Sequence, residues 1–273
     1  MEGFALPRFR QLPIRDRRTF IASRRVSPSM LTAVLDRTGR NGSAKLRSTF
    51  DEVEARLASH GFRVRWPVSA EIVDIPIMGA TKSVKEHHTL FVSAGALRSV
   101  ALDGLVAHEM GHMLLTESGH ASHSPAVFGQ IGKAVRIPPA ARSVFGEAFN
   151  HMQDIYADDL SFLAGLDGRA YGFFSSWVKG HRDSARRDRW WNVGVSVSNG
   201  FALGNLVRHR IIDSEDKLWE EARSFDRRVR LRSVDEFARF FAALPSDPKP
   251  RTFVSGVQAL ADSMSRAHDS RMF

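Results

Sequence analysis

Apolar positions along this chain follow two periods, and the change between them sets the expected layout. Leu46, Phe50, Val53 and Leu57 recur every three or four residues, which predicts a first core helix over 45–60 closed by Gly61. Alternating side chains at 62–66 and again at 71–75, where Pro76 intervenes, predict strands, and 88–93 reads as a third. The segment 79–83 reads as a turn or loop. The helical period then returns over 99–119, with Leu102, Leu105, Val106, Met113 and Leu114 as its apolar positions. It continues over 126–136 and over 140–165, the last opened by Pro138-Pro139 and ended by Asp167-Gly168. The remainder reads as mostly helical, with a break at 242–251 marked by Pro245, Pro248 and Pro250. Ahead of all this, residues 1–44 form an arginine-rich arm punctuated by Pro7, Pro13 and Pro28, with one short helix expected at 28–37. The pattern predicts an α+β fold in which a small mixed sheet packs on helix 99–119. Three parts follow: the arm at 1–44, a core at 45–168, and a mostly helical part at 169–273 packed on that core.

Composition narrows the chemistry. The chain has no cysteine, which excludes disulfides and thiolate-ligated metal and favours an intracellular, cytoplasmic setting. The N-terminus lacks the apolar stretch of a signal peptide. The longest uncharged stretch, 190–207, carries Asn192, Ser196, Ser198, Asn199 and Asn205 and is read as buried protein rather than a membrane span. A net charge of +9 and clustered arginines at 8–25, 182–189 and 227–232 leave nucleic acid open as a partner, although such runs are usually solvated faces.

The sharpest chemical signal lies within helix 99–119, at His108-Glu109-Met110-Gly111-His112. Residues four apart lie on one helical face, so both imidazoles can reach a single Zn²⁺ at about 2.0–2.1 Å. Glu109 is then placed as the general base for a water on that metal. A catalytic zinc takes three protein ligands and keeps one position open. On helix 140–165, Phe145, Phe149, Met152, Tyr156 and Leu163 form an apolar stripe, and Glu147, His151, Asp154 and Asp158 fall opposite it. Asp154 is the leading third ligand, with Glu147, Asp158 and His151 as alternatives. Beyond helix 99–119, His123 is a rival ligand and His120 a weaker one. With Asp154 as ligand, Asp158 lies one turn on and suits a support for a zinc histidine.

These residues resemble known families. Leu105 through His112, followed downstream by Asp154-Ile155-Tyr156-Ala157-Asp158, resembles the gluzincin-type metallopeptidases. In the CAAX-prenyl protease and its heat-shock relatives the downstream motif is ExxAD, whose Glu is the third ligand and whose Asp supports a zinc histidine. Asp154 stands here in place of that Glu. Residues 108–116 and 149–154 are also similar to soluble HExxH proteins with a downstream NxxED motif, where Gln153 replaces the Glu. His123-Ser124-Pro125 resembles the third-ligand region of SprT-like proteases acting on DNA-bound proteins, with Ser124 in place of a Gly.

The resemblance implies a zincin-like fold, a Zn²⁺ cofactor and hydrolysis of peptide bonds in a protein or peptide substrate. A non-catalytic zincin-like module and a SprT-like DNA-associated protease are the alternatives. The strand at 88–93 is expected beside the cleft, pairing with extended substrate. Tyr171, His151 and His123 are the candidates for stabilising an oxyanion.

Overall fold

The computed structural model describes residues 29–165 and 170–270. Four strands form one mixed sheet: β1 (Leu31–Asp36), β2 (Val68–Val73), β3 (Gly79–Val84) and β4 (His87–Ser93), in the order β1-β2-β4-β3. β1 runs parallel to β2 and β2 to β4, while β3 is antiparallel to β4. The helix α1 (Ser43–Ser59) carries the chain from β1 to β2 and buries Leu46, Phe50, Val53 and Leu57, the positions its period singled out. Next comes α2 (Leu102–Glu117), which holds the His-Glu-x-x-His segment. Seven further helices follow: α3 (Pro125–Ala134), α4 (Arg142–Leu163), α5 (Ala170–Gly180), α6 (Arg189–Arg208), α7 (Leu218–Arg228), α8 (Val234–Ala242) and α9 (Pro250–Asp269). The fold is therefore α+β: among the described residues the sheet lies within 31–93 and helices follow it.

Apolar burial collects in two cores. One lies between the sheet, α1 and α2 and includes Phe50, Ile72, Leu90, Val106 and Met110. The other is wholly helical and includes Met152, Phe201, Phe237, Phe241 and Phe253. α2 gives Val106, Met110 and Met113 to the first and Leu115 to the second, so it joins them. The uncharged stretch lies within α6, which is buried along almost its whole length among other helices. No helix among the described residues is long and apolar enough to cross a membrane.

Several local expectations are corrected. Residues 31–36, expected within a short helix, form the strand β1. Five of its six residues are held in register beside β2, and that pairing outweighs a weak helical preference. The alternating segment 62–66 is not a strand. The backbone N–H groups of Arg65 and Trp66 instead donate to the Glu117 carboxylate, at 2.8 and 2.9 Å, so they need no partner strand. The expected turn at 79–83 is β3, and the real turn is the two-residue Lys85-Glu86. Both turn residues have positive φ (49° and 58°), the conformation of a tight hairpin that usually carries Asn-Gly, so the sequence did not announce it. The strand 88–93 is β4, flanked on both edges. The sheet's edge strands are β1 and β3, and β3 is the one that lines the cleft. The arginine cluster at 8–25 and the Asp167-Gly168 helix stop lie outside the described residues.

α2 and α4 cross at a point where their backbones nearly touch. A Cβ placed on Gly111 would lie 2.7 Å from the Ala157 carbonyl oxygen and 2.9 Å from its Cα. Backbone cannot yield as a flexible side chain can. On an exposed helix Gly→Ala gains about 1 kcal/mol of propensity. Here overpacking, about 1–3 kcal/mol, works against it and wins. We expect Gly111→Ala to lower stability by up to about 2 kcal/mol in denaturant titration. An unchanged or higher midpoint would contradict the close crossing.

Candidate metal centre

The crossing places two pairs of residues face to face. Gly111 lies between His108 and His112 on α2, and Ala157 lies between Asp154 and Asp158 on α4. His108 Nε2, His112 Nε2 and Asp154 Oδ1 converge. The nitrogens are 3.0 Å apart, and the oxygen is 3.8 Å from the first and 3.5 Å from the second. Ligand atoms 2.0–2.1 Å from a tetrahedral metal stand about 3.4 Å from one another, so this triangle has the right size. Its chemistry also fits: two imidazole nitrogens and one carboxylate oxygen suit zinc. About a quarter of the Asp154 and His108 side chains remains exposed, so the site opens to the cleft.

Outer partners surround the triangle. His108 Nδ1 donates to Asp158 Oδ1 at 2.7 Å, and Asp158 Oδ2 accepts from Asn205 Nδ2 at 2.5 Å. Asp154 Oδ2 lies 3.6 Å from Nδ1 of His151, whose Nε2 is 2.9 Å from Ser198 Oγ and whose ring stacks on Phe201. Ser198 and Asn205 are seven residues apart, two turns of α6, so one buried helix face supports both aspartates. Further polar residues of α6 have partners of their own: Asn199 Oδ1 meets His181 Nδ1, Ser196 bonds Ser233, and Asn192 bonds the backbone of Arg186. The sequence reading missed Asn205 and Ser198 as contributors to the site. Their signal was available, as two amide and hydroxyl positions at heptad spacing in an apolar helix.

Glu109 is buried, with Oε2 accepting from Thr81 Oγ1 on β3 at 2.8 Å. It lines the same cleft, about 1090 Å³, as His108, His112 and Asp154. One wall of that cleft is the β3 edge, flanked by half-exposed Ile77 and Val84. Aromatic side chains of α5, Phe173, Phe174 and Trp177, stand in another, joined by Phe128 of α3.

The remaining candidates fall elsewhere. Glu147 is exposed and outside the cluster. His123 stands behind the triangle, its Nε2 2.7 Å from Nδ1 of His112. His120 is one step further, 2.7 Å from Ser122 Oγ. Tyr171 donates to Asp216 at 3.3 Å, and the His151 ring is packed beneath Asp154. Of the arginines at 182–189 and 227–232, Arg182 pairs with Glu221, Arg227 with Glu220 and Arg228 with Asp183. Arg189 donates to the carbonyls that end α9, and Arg186 lies over the Trp191 ring.

Charge at the centre follows from this packing. Burial lowers the His108 pKa, but the carboxylates of Asp158, Asp154 and Glu109 outweigh it and push it up to about 10. Burial likewise works against the Asp154 carboxylate, yet the surrounding imidazoles of His112, His151 and His108 hold it well below its ordinary range. Burial, with neighbouring His112 and His120, pushes His123 down to about 3, so its ring stays neutral.

These features define the class: an α+β protein whose centre is a two-histidine, one-carboxylate cluster beside a buried glutamate. The chain belongs to the family described as Family of unknown function (DUF5781), which matches over residues 53–265 and so contains every candidate residue named above. Comparison with curated proteins and with solved structures gave no match.

A raised histidine pKa carries a definite sign. The proton on His108 stabilises the metal-free fold fully below the ordinary value of 6.5, and that contribution is lost as pH rises toward about 10. We expect chelator-treated protein to lose thermal stability between pH 7 and 10, with a shallower loss in His108→Gln. Parallel curves for the two proteins would contradict the assignment.

Proposed function

We propose that this chain is a zinc-dependent metallopeptidase of the zincin type. The observation that carries the reading is Glu109, a buried carboxylate one residue from the first histidine, held by Thr81 and opening on the cleft that the triangle lines. His108, His112 and Asp154 would hold the metal. Zn²⁺ bound there would supply a water of lowered pKa and a polarised substrate carbonyl. Glu109 is placed to take a proton from a water entering the cleft and to return it to a departing amine. Thr81 fixes the carboxylate by bonding one oxygen, leaving the other to accept. The free edge of β3 offers unpaired backbone groups along which an extended peptide can pair. This role falls to β3 rather than to the strand at 88–93. The aromatic wall of Phe173, Phe174 and Trp177 favours substrates with a large apolar side chain near the cleaved bond.

General acid–base catalysis contributes about 10²–10⁴ in rate. Glu109→Gln keeps the shape but cannot accept the proton. We expect zinc content and fold to be unchanged and cleavage of a panel of unfolded proteins to fall at least about 100-fold. Equal cleavage by both proteins would rule out the general-base role. If the zinc-loaded native chain cleaves nothing in the panel, a non-catalytic module becomes the better reading. Cleavage that rises with single-stranded DNA and falls with salt would favour the DNA-associated protease.

A second test separates ligand from support. Losing an outer partner of a metal ligand costs about 10–100-fold in affinity. Losing a ligand costs more. We expect Asp154→Ala to weaken zinc binding further than Asp158→Ala in chelator competition. The reverse order would remove Asp154 from the ligand set.

A further inference from the structure

Beyond the three proposed ligands lies a run of hydrogen-bonded side chains that the peptidase mechanism does not use. His112 Nδ1 is 2.7 Å from His123 Nε2, and His123 Nδ1 is 2.8 Å from Ser122 Oγ. Ser122 Oγ is in turn 2.7 Å from His120 Nδ1. Ser122 is fully buried, and its carbonyl accepts from Gln153 Nε2 of α4 at 2.9 Å, which pins this segment to the helix bearing Asp154.

The direction of every bond in the run is determined from its far end. The backbone N–H of Ser122 donates to His120 Nδ1 at 3.3 Å. A backbone amide has no choice of role, so His120 Nδ1 carries a lone pair and no proton. The Ser122 hydroxyl must therefore also donate to that nitrogen. Having spent its only proton, it accepts from His123 Nδ1–H. A neutral imidazole has one N–H, so His123 Nε2 is an acceptor. His112 must then donate from Nδ1, which leaves its Nε2 lone pair bare and turned toward His108 and Asp154. His108 differs: the Asp158 carboxylate accepts from its Nδ1, and its Nε2–H donates to the His112 lone pair at 3.0 Å, a proton that a metal would displace.

We propose that His123, Ser122 and His120 form a positioning chain that fixes His112, in tautomer and ring orientation, as a metal ligand before the metal arrives. This rests on the metal-centre reading, but the tautomers belong to the metal-free protein and are measurable without it. His123, read from the sequence as a rival ligand, acts through His112. The two histidines are thereby supported unequally, His108 by an anion and His112 by a neutral ring.

The test uses chelator-treated, ¹⁵N-histidine-labelled full chain and long-range ¹H–¹⁵N correlation. Protons on Nδ1 of His112 and His123 and on Nε2 of His120 are expected. A proton on His123 Nε2 would overturn the proposal. Zinc affinity gives the second readout. His123→Phe keeps a ring but offers no acceptor, and its zinc affinity should fall about 10–100-fold. His123→Gln, whose amide can accept from His112 and donate to Ser122, should recover most of that loss. Native affinity in a folded His123→Phe would overturn the proposal. So would loss of a nitrogen ligand in the Co²⁺ spectrum of that variant, which would make His123 itself a ligand. If the native chain takes up no zinc, the metal reading fails while the tautomers still decide the chain.

Discussion

The near-contact of two helix backbones at Gly111 and Ala157 governs the geometry of the site. A glycine between two histidines and an alanine between two aspartates let α2 and α4 approach until the flanking side chains face one another. Aspartate is one methylene shorter than glutamate. At an ordinary helix separation of about 8–10 Å, a carboxylate on so short a stem would stand back from the histidines. The crossing removes that difficulty, bringing Asp154 Oδ1 within 3.8 Å of both ring nitrogens and Asp158 into hydrogen bond with His108. The same crossing joins the sheet-side core to the helical core, so the site lies where the two halves of the molecule are tied together.

Around it, buried polar side chains from neighbouring elements hold the residues of the centre. α6 crosses behind α4 and supplies Asn205 to Asp158 and Ser198 to His151. Ser122, on the short turn after α2, links the histidines behind His112 and is itself held by Gln153. Each group limits the freedom of a side chain that faces the cleft. Concentrating negative charge around two facing imidazoles favours a cation between them. In the metal-free protein the proton on His108 takes that place, and a metal must displace it.

Sequence pattern made the frame legible where one dimension carries the signal. The i, i+4 histidines and the i, i+4 aspartates each define a helix face without knowledge of the fold. Leu46, Phe50, Val53 and Leu57 likewise marked the buried face of α1. Strand assignments failed where long-range pairing decides. β1 is a strand because β2 lies beside it, and 62–66 is not one because Glu117 takes its N–H groups. β3, with Gly, Thr, Lys and Ser among its residues and a Lys-Glu turn after it, has neither the apolar alternation nor the turn chemistry of a hairpin. The supports from α6 were hidden for another reason. Nothing in sequence says that a residue at 205 meets one at 158, even though an amide inside an apolar helix must find a partner somewhere.

The most direct test of this arrangement is an anomalous difference map at the zinc edge from a crystal of the zinc-loaded chain. One strong peak is expected at the α2–α4 crossing, about 2.0–2.2 Å from His108 Nε2, His112 Nε2 and Asp154 Oδ1, with its fourth side toward the cleft. A peak ligated by His123, or no peak at these residues at saturating zinc, would contradict it.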